Sequence, residues 1–218
     1  MTSYTGNNSG TRIVITGMGA ITNLGFDAAS TWSAMREGRS GIGLIEGDEF
    51  AAFNFDWDVK IAGQVKKWEP TSAIEFREAK RLDRVTHLGL AAAIEAVKDS
   101  GIDFSKENSE RCGVVIGSGI GGISTIELGV FTMREKAPDR ITPFTVPRLM
   151  VNATAGNISI KYGLRGPASA HATACASSGH AIADAMHIMQ RGACDVMVVG
   201  GTEAACTPLC ICLLYTSD

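Results

Sequence analysis

The run Val196-Met197-Val198-Val199 is apolar without alternation, and that pattern narrows the fold more than any other feature. A strand with one wet face alternates apolar and polar residues, whereas a strand covered on both faces does not. The same chain carries a second strand-like run, 112–116, and a short small-residue strand, 168–172. Helix-like stretches separate them. Strands separated by helices imply parallel pairing with right-handed crossovers. The expectation is an α/β protein with helices on both faces of a sheet.

The remaining elements follow from caps and breakers. Residues 12–16 read as a further strand, ending in Gly17-Met18-Gly19. Asp27 can cap a helix running to about Glu37, and Asp83 one running to about Ser100, closed by Gly101. Residues 46–69 carry scattered aromatics and acids with no period, the mark of a long surface excursion. A helix is expected over 124–134. Residues 142–147 form a proline-punctuated loop, and Pro147 suits the start of a helix running to about Tyr162, stopped by Gly163. The helix at 177–191 has small residues around most of its circumference and no strongly polar face before Gln190, so burial between layers is predicted.

Composition excludes several classes. Hydrophobic content of 45% and charged content of 20% suit a globular chain that can bury a core. A net charge of -3 supplies no basic field for nucleic acid. No apolar run is long enough to cross a bilayer. The polar leader, 1–11, has neither the apolar core of a signal peptide nor the early arginines of a transit peptide, so a disordered leader and a cytoplasmic location are expected. There are six cysteines and no Cys-x-x-Cys. Cys206, Cys210 and Cys212 crowd together without a His or acid at ligand spacing, so no metal site is expected.

Cys175, in Thr173-Ala174-Cys175-Ala176-Ser177-Ser178-Gly179, is the candidate nucleophile. It falls between a strand and a helix, near the positive end of the helix dipole, an environment that favours thiolate. Its small neighbours leave room for a substrate. A buried, inert cysteine is the competing reading, and spacing alone does not separate the two. Of the four histidines, His171 alternates with Thr173 on the strand, which leaves a Cys–His pair open. His180 lies five positions beyond Cys175, roughly 140° around a helix, and is poorly placed for the thiol. Gly117-Ser118-Gly119-Ile120-Gly121-Gly122 matches a dinucleotide fingerprint after a strand. No second strand with an acid follows about 20 residues on, and Pro143 stands where it would be. A tight turn for close backbone approach is the alternative.

The residues around Cys175 as far as His180, with Gly163-Leu164-Arg165-Gly166-Pro167 before and Gly200-Gly201-Thr202-Glu203-Ala204 after, resemble the β-ketoacyl-[acyl-carrier-protein] synthases, most closely the elongating type II enzymes of fatty acid synthesis. The likeness includes Val14-Ile15-Thr16-Gly17-Met18-Gly19, the glycine turn and Val151-Asn152-Ala153-Thr154-Ala155-Gly156-Asn157, and covers 12–209. It implies the N-terminal half of a thiolase-like fold, in which two halves stack as five layers, α-β-α-β-α. It implies that Cys175 takes an acyl chain from an acyl carrier protein as a thioester. Malonyl-carrier protein then loses CO2, and its carbanion attacks that thioester to give a 3-oxoacyl chain. The Cys175 N–H would be one oxyanion donor. Ile120 would line the acyl pocket, as would Thr145, reached from the partner subunit of a homodimer. No cofactor is implied beyond the carrier's phosphopantetheine.

Two departures accompany the resemblance. The family is about twice as long, and its carbanion-stabilising histidine pair, the lysine beside it and the second oxyanion donor match nothing here. This chain is therefore expected to be a truncated fragment, poorly soluble and without condensing activity. The likeness also stops after Leu209. Residues 210–218 replace a glycine-rich run with what looks like translated foreign sequence, and are set aside as a non-native tail. A polyketide-type ketosynthase shares the nucleophile motif. A non-catalytic chain-length partner is a further alternative, weakened because those relatives usually lack the cysteine.

Overall fold

Asp27 and Asp83 cap helices as expected. Asp27 accepts the Ser30 N–H at 2.6 Å and starts α1 (Ala28–Arg36). A two-residue antiparallel pair, β1 (Gly43–Leu44) and β2 (Ile61–Ala62), flanks the short α2 (Asp48–Ala51). After α3 (Phe76–Ala79), Asp83 accepts the Val85 N–H and opens α4 (Arg84–Ser100). Gly101 closes α4 in the left-handed conformation. Then come β3 (Cys112–Gly117), α5 (Ile123–Glu135), α6 (Thr145–Leu149), α7 (Ala153–Tyr162), β4 (Ala168–His171), α8 (Ser177–Gln190), β5 (Val196–Gly201) and α9 (Pro208–Tyr215). The computed structural model describes residues 12–51 and 58–215; the leader expected at 1–11 and the last residues, 216–218, lie outside the described residues.

The sheet has the order β4-β3-β5, and both pairings are parallel. Every residue of β3 is buried, as expected of a central strand covered on both sides. Its side chains divide by parity. Cys112, Val114 and Ile116 pack with Leu90, Ala93 and Ile158 of α4 and α7. Val115 packs on the opposite face with Ala181, Ala185 and Ile188 of α8. One strand thus ties the two helical layers together, and each fully buried Val or Leu among them contributes about 1.5–3 kcal/mol.

Five expectations need correction. Residues 12–16 are not a strand. A strand needs a ladder partner, and these residues have none among the described residues; Ile15 is 81% exposed. The chain is instead held just beyond, where the Met18 N–H donates to Asp99 Oδ2 at 2.9 Å and the Ala20 N–H to Glu95 Oε2 at 2.8 Å, both on α4. Second, the single helix expected from Pro147 is two helices. Pro147 sits in the first turn of α6, where its missing N–H costs nothing, and extended backbone at Met150 breaks the run before α7. Third, α8 is not enclosed. Ser177, Ala181, Ala185 and Ile188 are buried, while Ile182 and Met186 on the other side are exposed. Fourth, the excursion at 46–69 is not all surface, since Phe50 and Trp68 are buried. Fifth, the run Val196 to Val199 is not covered on both faces: β5 is an edge strand, none of its residues is buried and Val199 is exposed. Among the described residues no helix is long and apolar enough to cross a membrane.

Candidate active site

β4 ends at His171, and the chain enters α8 through a 3-10 turn, Ala174–Ala176, that carries Cys175. The turn is tightly specified. Ala174 has φ of 50°, in the left-handed region that non-glycine residues avoid. Ser177, 3% exposed, holds it there. Its hydroxyl donates to the Ala174 carbonyl at 2.7 Å and accepts the Thr173 N–H at 2.8 Å. The Ala176 N–H closes the turn on the Thr173 carbonyl at 3.1 Å. Cys175 is exposed, and neither its thiol nor its N–H has a hydrogen-bond partner among the described residues.

The glycine turn lies against this loop. A Cβ added at Gly117 would overlap the Ser177 carbonyl, so the end of β3 touches the first turn of α8 backbone to backbone. A Cβ at Gly119 would come within 3.5 Å of Ala174 Cα. The turn itself is pinned by Glu203, just past β5. Its carboxylate accepts the Gly119 N–H at 2.6 Å, the Ile120 N–H at 3.2 Å and the Ser118 hydroxyl at 3.3 Å. The Thr202 N–H donates to the Gly117 carbonyl at 2.9 Å. The carboxyl ends of all three parallel strands therefore meet at Cys175, where open α/β sheets place their ligands. The amides that would cradle a dinucleotide phosphate already hold a resident carboxylate, so the turn serves close approach.

The histidines do not pair with the thiol. His180 Nδ1 lies 2.7 Å from Thr173 Oγ1, and His171 Nε2 lies 3.2 Å from Asp184 Oδ2 on α8. His87, half-buried on α4, has its pKa lowered chiefly by burial, partly offset by its hydrogen bond to the Ala79 carbonyl. Burial pushes the Cys112, Cys194 and Cys206 thiols up. Ile120 stands in the glycine turn, 43% exposed. Thr145 stands on α6, donating to the Thr142 carbonyl at 2.7 Å, and lines a cavity whose walls include neither Cys175 nor Ile120. Sequence reasoning missed the roles of Glu203 and Ser177. The signal for Glu203 was present: it is an acid right after Gly200-Gly201, at a strand end facing a turn rich in free amides.

Residues 10–217 match the family described as beta-ketoacyl synthase, N-terminal domain. The chain belongs to that family. It is 44% identical over 198 residues to the 3-oxoacyl-[acyl-carrier-protein] synthase 2 of Vibrio harveyi, covering 91% of this chain and 47% of that protein. It is 40% identical over 200 residues to the enzyme of the same name from Staphylococcus aureus, covering 92% of this chain and 47% of the relative. The chain thus spans about half the length of the curated relatives it matches. Among solved structures, the ishigamide ketosynthase/chain length factor superposes with a TM-score of 0.81 at 22% identity, over 94% of this chain and 51% of that one. A type II ketosynthase in complex with its acyl-carrier protein gives 0.77, also at 22% identity, over 94% and 54%. At that identity the likeness shows the fold alone, the ketosynthase fold of the thiolase-like class. The β-ketoacyl synthase chain described above forms one α-β-α stack of it.

Proposed function

We propose that the protein to which this chain belongs is a 3-oxoacyl-[acyl-carrier-protein] synthase of fatty acid elongation and that Cys175 is its acyl-carrying nucleophile. The observation that carries the reading is the state of Cys175: an exposed thiol on an over-determined turn, with an unengaged N–H, where three strand ends meet. The kinship with enzymes named 3-oxoacyl-[acyl-carrier-protein] synthase 2 supports it.

The chemistry follows from the groups present. The Cys175 thiolate attacks the carbonyl of an acyl thioester on a carrier protein. A C–S bond forms, the carbonyl oxygen gains negative charge, and the Cys175 N–H is the available donor toward it. Collapse breaks the C–S bond to the carrier, whose thiolate leaves and takes a proton from solvent. The acyl chain is then held as a thioester on Cys175, with the turn at Ile120 as its first wall. A rigid turn matters because misplacement of a reacting atom by about 1 Å costs on the order of a hundredfold in rate.

Carbon–carbon bond formation needs further groups to stabilise the malonyl-derived carbanion. His171, His180 and His187 are engaged elsewhere and His87 is on α4, so this chain by itself carries the acylation half of the reaction. Acyl carrier protein is the proposed partner, homodimerisation the proposed assembly of the whole enzyme and the cytoplasm its proposed location. The test is incubation of the 218-residue chain with an acyl-carrier protein thioester, followed by peptide mass spectrometry. An acyl adduct on Cys175 that Cys175→Ala abolishes is expected. Acylation at another residue, with Cys175 unmodified, defeats the assignment.

A further inference from the structure

The Glu203 carboxylate is committed to a single turn. The residue stands two positions past β5 and is exposed, so it fills no core. No lysine, arginine or histidine lies within ion-pair distance of it among the described residues. One oxygen accepts the Gly119 and Ile120 N–H groups, and the other accepts the Ser118 hydroxyl. Successive backbone amides of this kind form a concave seat for an anion, and a side chain of the same protein occupies it. The carboxylate is presented from a fixed base. The Thr202 hydroxyl donates to the Val85 carbonyl at 2.8 Å, and the Thr202 N–H to the Gly117 carbonyl at 2.9 Å.

The glycine turn has two anchors, and Ile120 lies between them. On the far side the Gly122 N–H donates to the Leu149 carbonyl at 3.1 Å, and a Cβ at Gly121 would meet that carbonyl at 2.8 Å. That anchor is backbone on backbone and depends on no side chain. On the near side the amides of Gly119 and Ile120 are held by Glu203. Buried Ser118 couples the two sides by accepting the Gly121 N–H at 3.0 Å. Ile120 is the one apolar side chain of the turn, since the other residues are Ser118 and glycines. Gly119 lies against Ala174, the residue before Cys175. The bonds to Glu203 therefore set where Ile120 stands relative to the thiol.

We infer that Glu203 is a positioning residue for chain-length selection, acting through Ile120. The inference rests on the acyl-transfer reading of Cys175. A dodecanoyl chain held at Cys175 has to run along the turn, and a fixed wall keeps its carbonyl in line with the sulfur. An acetyl group is too short to lean on Ile120. Release of the near anchor therefore slows transfer of the long chain relative to the short one, while the far anchor keeps the turn in place.

The experiment measures the rate at which Cys175 of the 218-residue chain is acylated by dodecanoyl- and acetyl-carrier protein thioesters. Misplacement of a reacting atom by about 1 Å costs on the order of a hundredfold, so a partial loss, about tenfold in the dodecanoyl-to-acetyl rate ratio, is expected for Glu203→Ala. Glu203→Gln, which keeps an acceptor oxygen for the two amides, should restore part of the ratio. Iodoacetamide alkylation of Cys175 should stay near the parental rate in both variants. Ile120→Ala should lower the ratio by itself, and Glu203→Ala added to it should lower it little further, because residues that act through one another are not additive. An unchanged ratio in Glu203→Ala, or full additivity with Ile120→Ala, overturns the inference while acylation of Cys175 stands. Altered alkylation in Glu203→Ala would assign the carboxylate to the fold at large and overturn it too. No adduct on Cys175 in the parent chain defeats the acyl-transfer reading and this inference with it.

Discussion

The Glu203 carboxylate accepts the Gly119 N–H at 2.6 Å across 84 residues of chain, which fastens the segment after β5 to the turn after β3. The bond matters to the cysteine because that turn abuts Ala174. Hydrogen bonds to a charged acceptor contribute more than neutral ones, and Glu203 takes three donors. Glu203→Gln keeps the shape but removes the charge and one acceptor. It is expected to lower stability by about 1 kcal/mol. Amide exchange at Gly119 and Ile120 should speed up while β3 stays protected; unchanged exchange at both would show that the carboxylate does not pin the turn.

Gly117 is the position where a methyl group would act most directly on the Cys175 turn. Its Cβ would overlap the Ser177 carbonyl, a backbone atom that cannot swing aside. Gly117→Ala therefore has to push the start of α8 off the sheet, and with it the Ser177 hydroxyl that holds the Cys175 turn. A loss of about 1–3 kcal/mol or more is expected from overpacking, read as a lower urea midpoint. Alkylation of Cys175 should also lose its single-rate behaviour as the turn loosens. A variant as stable as the parent would mean that β3 and α8 are not in backbone contact.

The cysteines should separate by accessibility. Cys175 and Cys212 are exposed, whereas Cys112 and Cys194 are 2% and 3% exposed, with thiols pushed up by burial. Brief iodoacetamide treatment near neutral pH should label the first two and spare the second two, by peptide mapping. The same burial has a linkage consequence. A thiol whose pKa is raised on folding contributes fully below its unfolded value and loses that contribution as pH climbs through the folded one. Stability should therefore decline on the alkaline side, above about pH 8.5, and Cys112→Ala with Cys194→Ala should flatten that decline.

His87 acts at the other end of the scale. Burial lowers its pKa, so the folded state resists protonation that the unfolded chain accepts. Its contribution is present above the unfolded value, roughly pH 6.5, and is lost as pH falls through the depressed folded value. The urea midpoint should drop between neutral pH and about pH 5. His87→Gln, which can still donate to the Ala79 carbonyl, should lessen the drop. An equal slope in the variant would place the acid sensitivity elsewhere.

What the sequence disclosed and what it hid divide along one physical line. Local chemistry was legible: Asp83 before a helix and Gly101 and Gly163 after one did what their side chains dictate, whereas Val196 to Val199 paired in parallel as expected but at the edge of the sheet, not covered on both faces. Cys175 was legible as a thiol between strand and helix. Features decided by distant partners were not. The apolar run at 12–16 has strand composition but no ladder partner among the described residues. Small residues around α8 suggested enclosure, yet only one side meets the sheet. Glu203 reaches its turn over 84 residues, and no local pattern announces such a contact.

The strain at Ala174 gives a last prediction, in which stability and reactivity part company. Its φ of 50° is comfortable for glycine and costly for alanine. The cost of a left-handed alanine is about 1–2 kcal/mol, and glycine returns part of that through the greater freedom it loses on folding. Ala174→Gly should therefore raise stability by roughly 0.5–1 kcal/mol. Strain of this kind persists where surrounding bonds over-determine the backbone, here those of Ser177 to Ala174 and Thr173. If the strained turn fixes the thiol and its N–H for attack, the freer glycine should slow acylation of Cys175 by a thioester several-fold. Alkylation by small iodoacetamide, which needs no such alignment, should stay near the parental rate. Acylation and alkylation slowed alike would trace the effect to thiol access rather than alignment. A variant less stable than the parent would show that Ala174 is not strained.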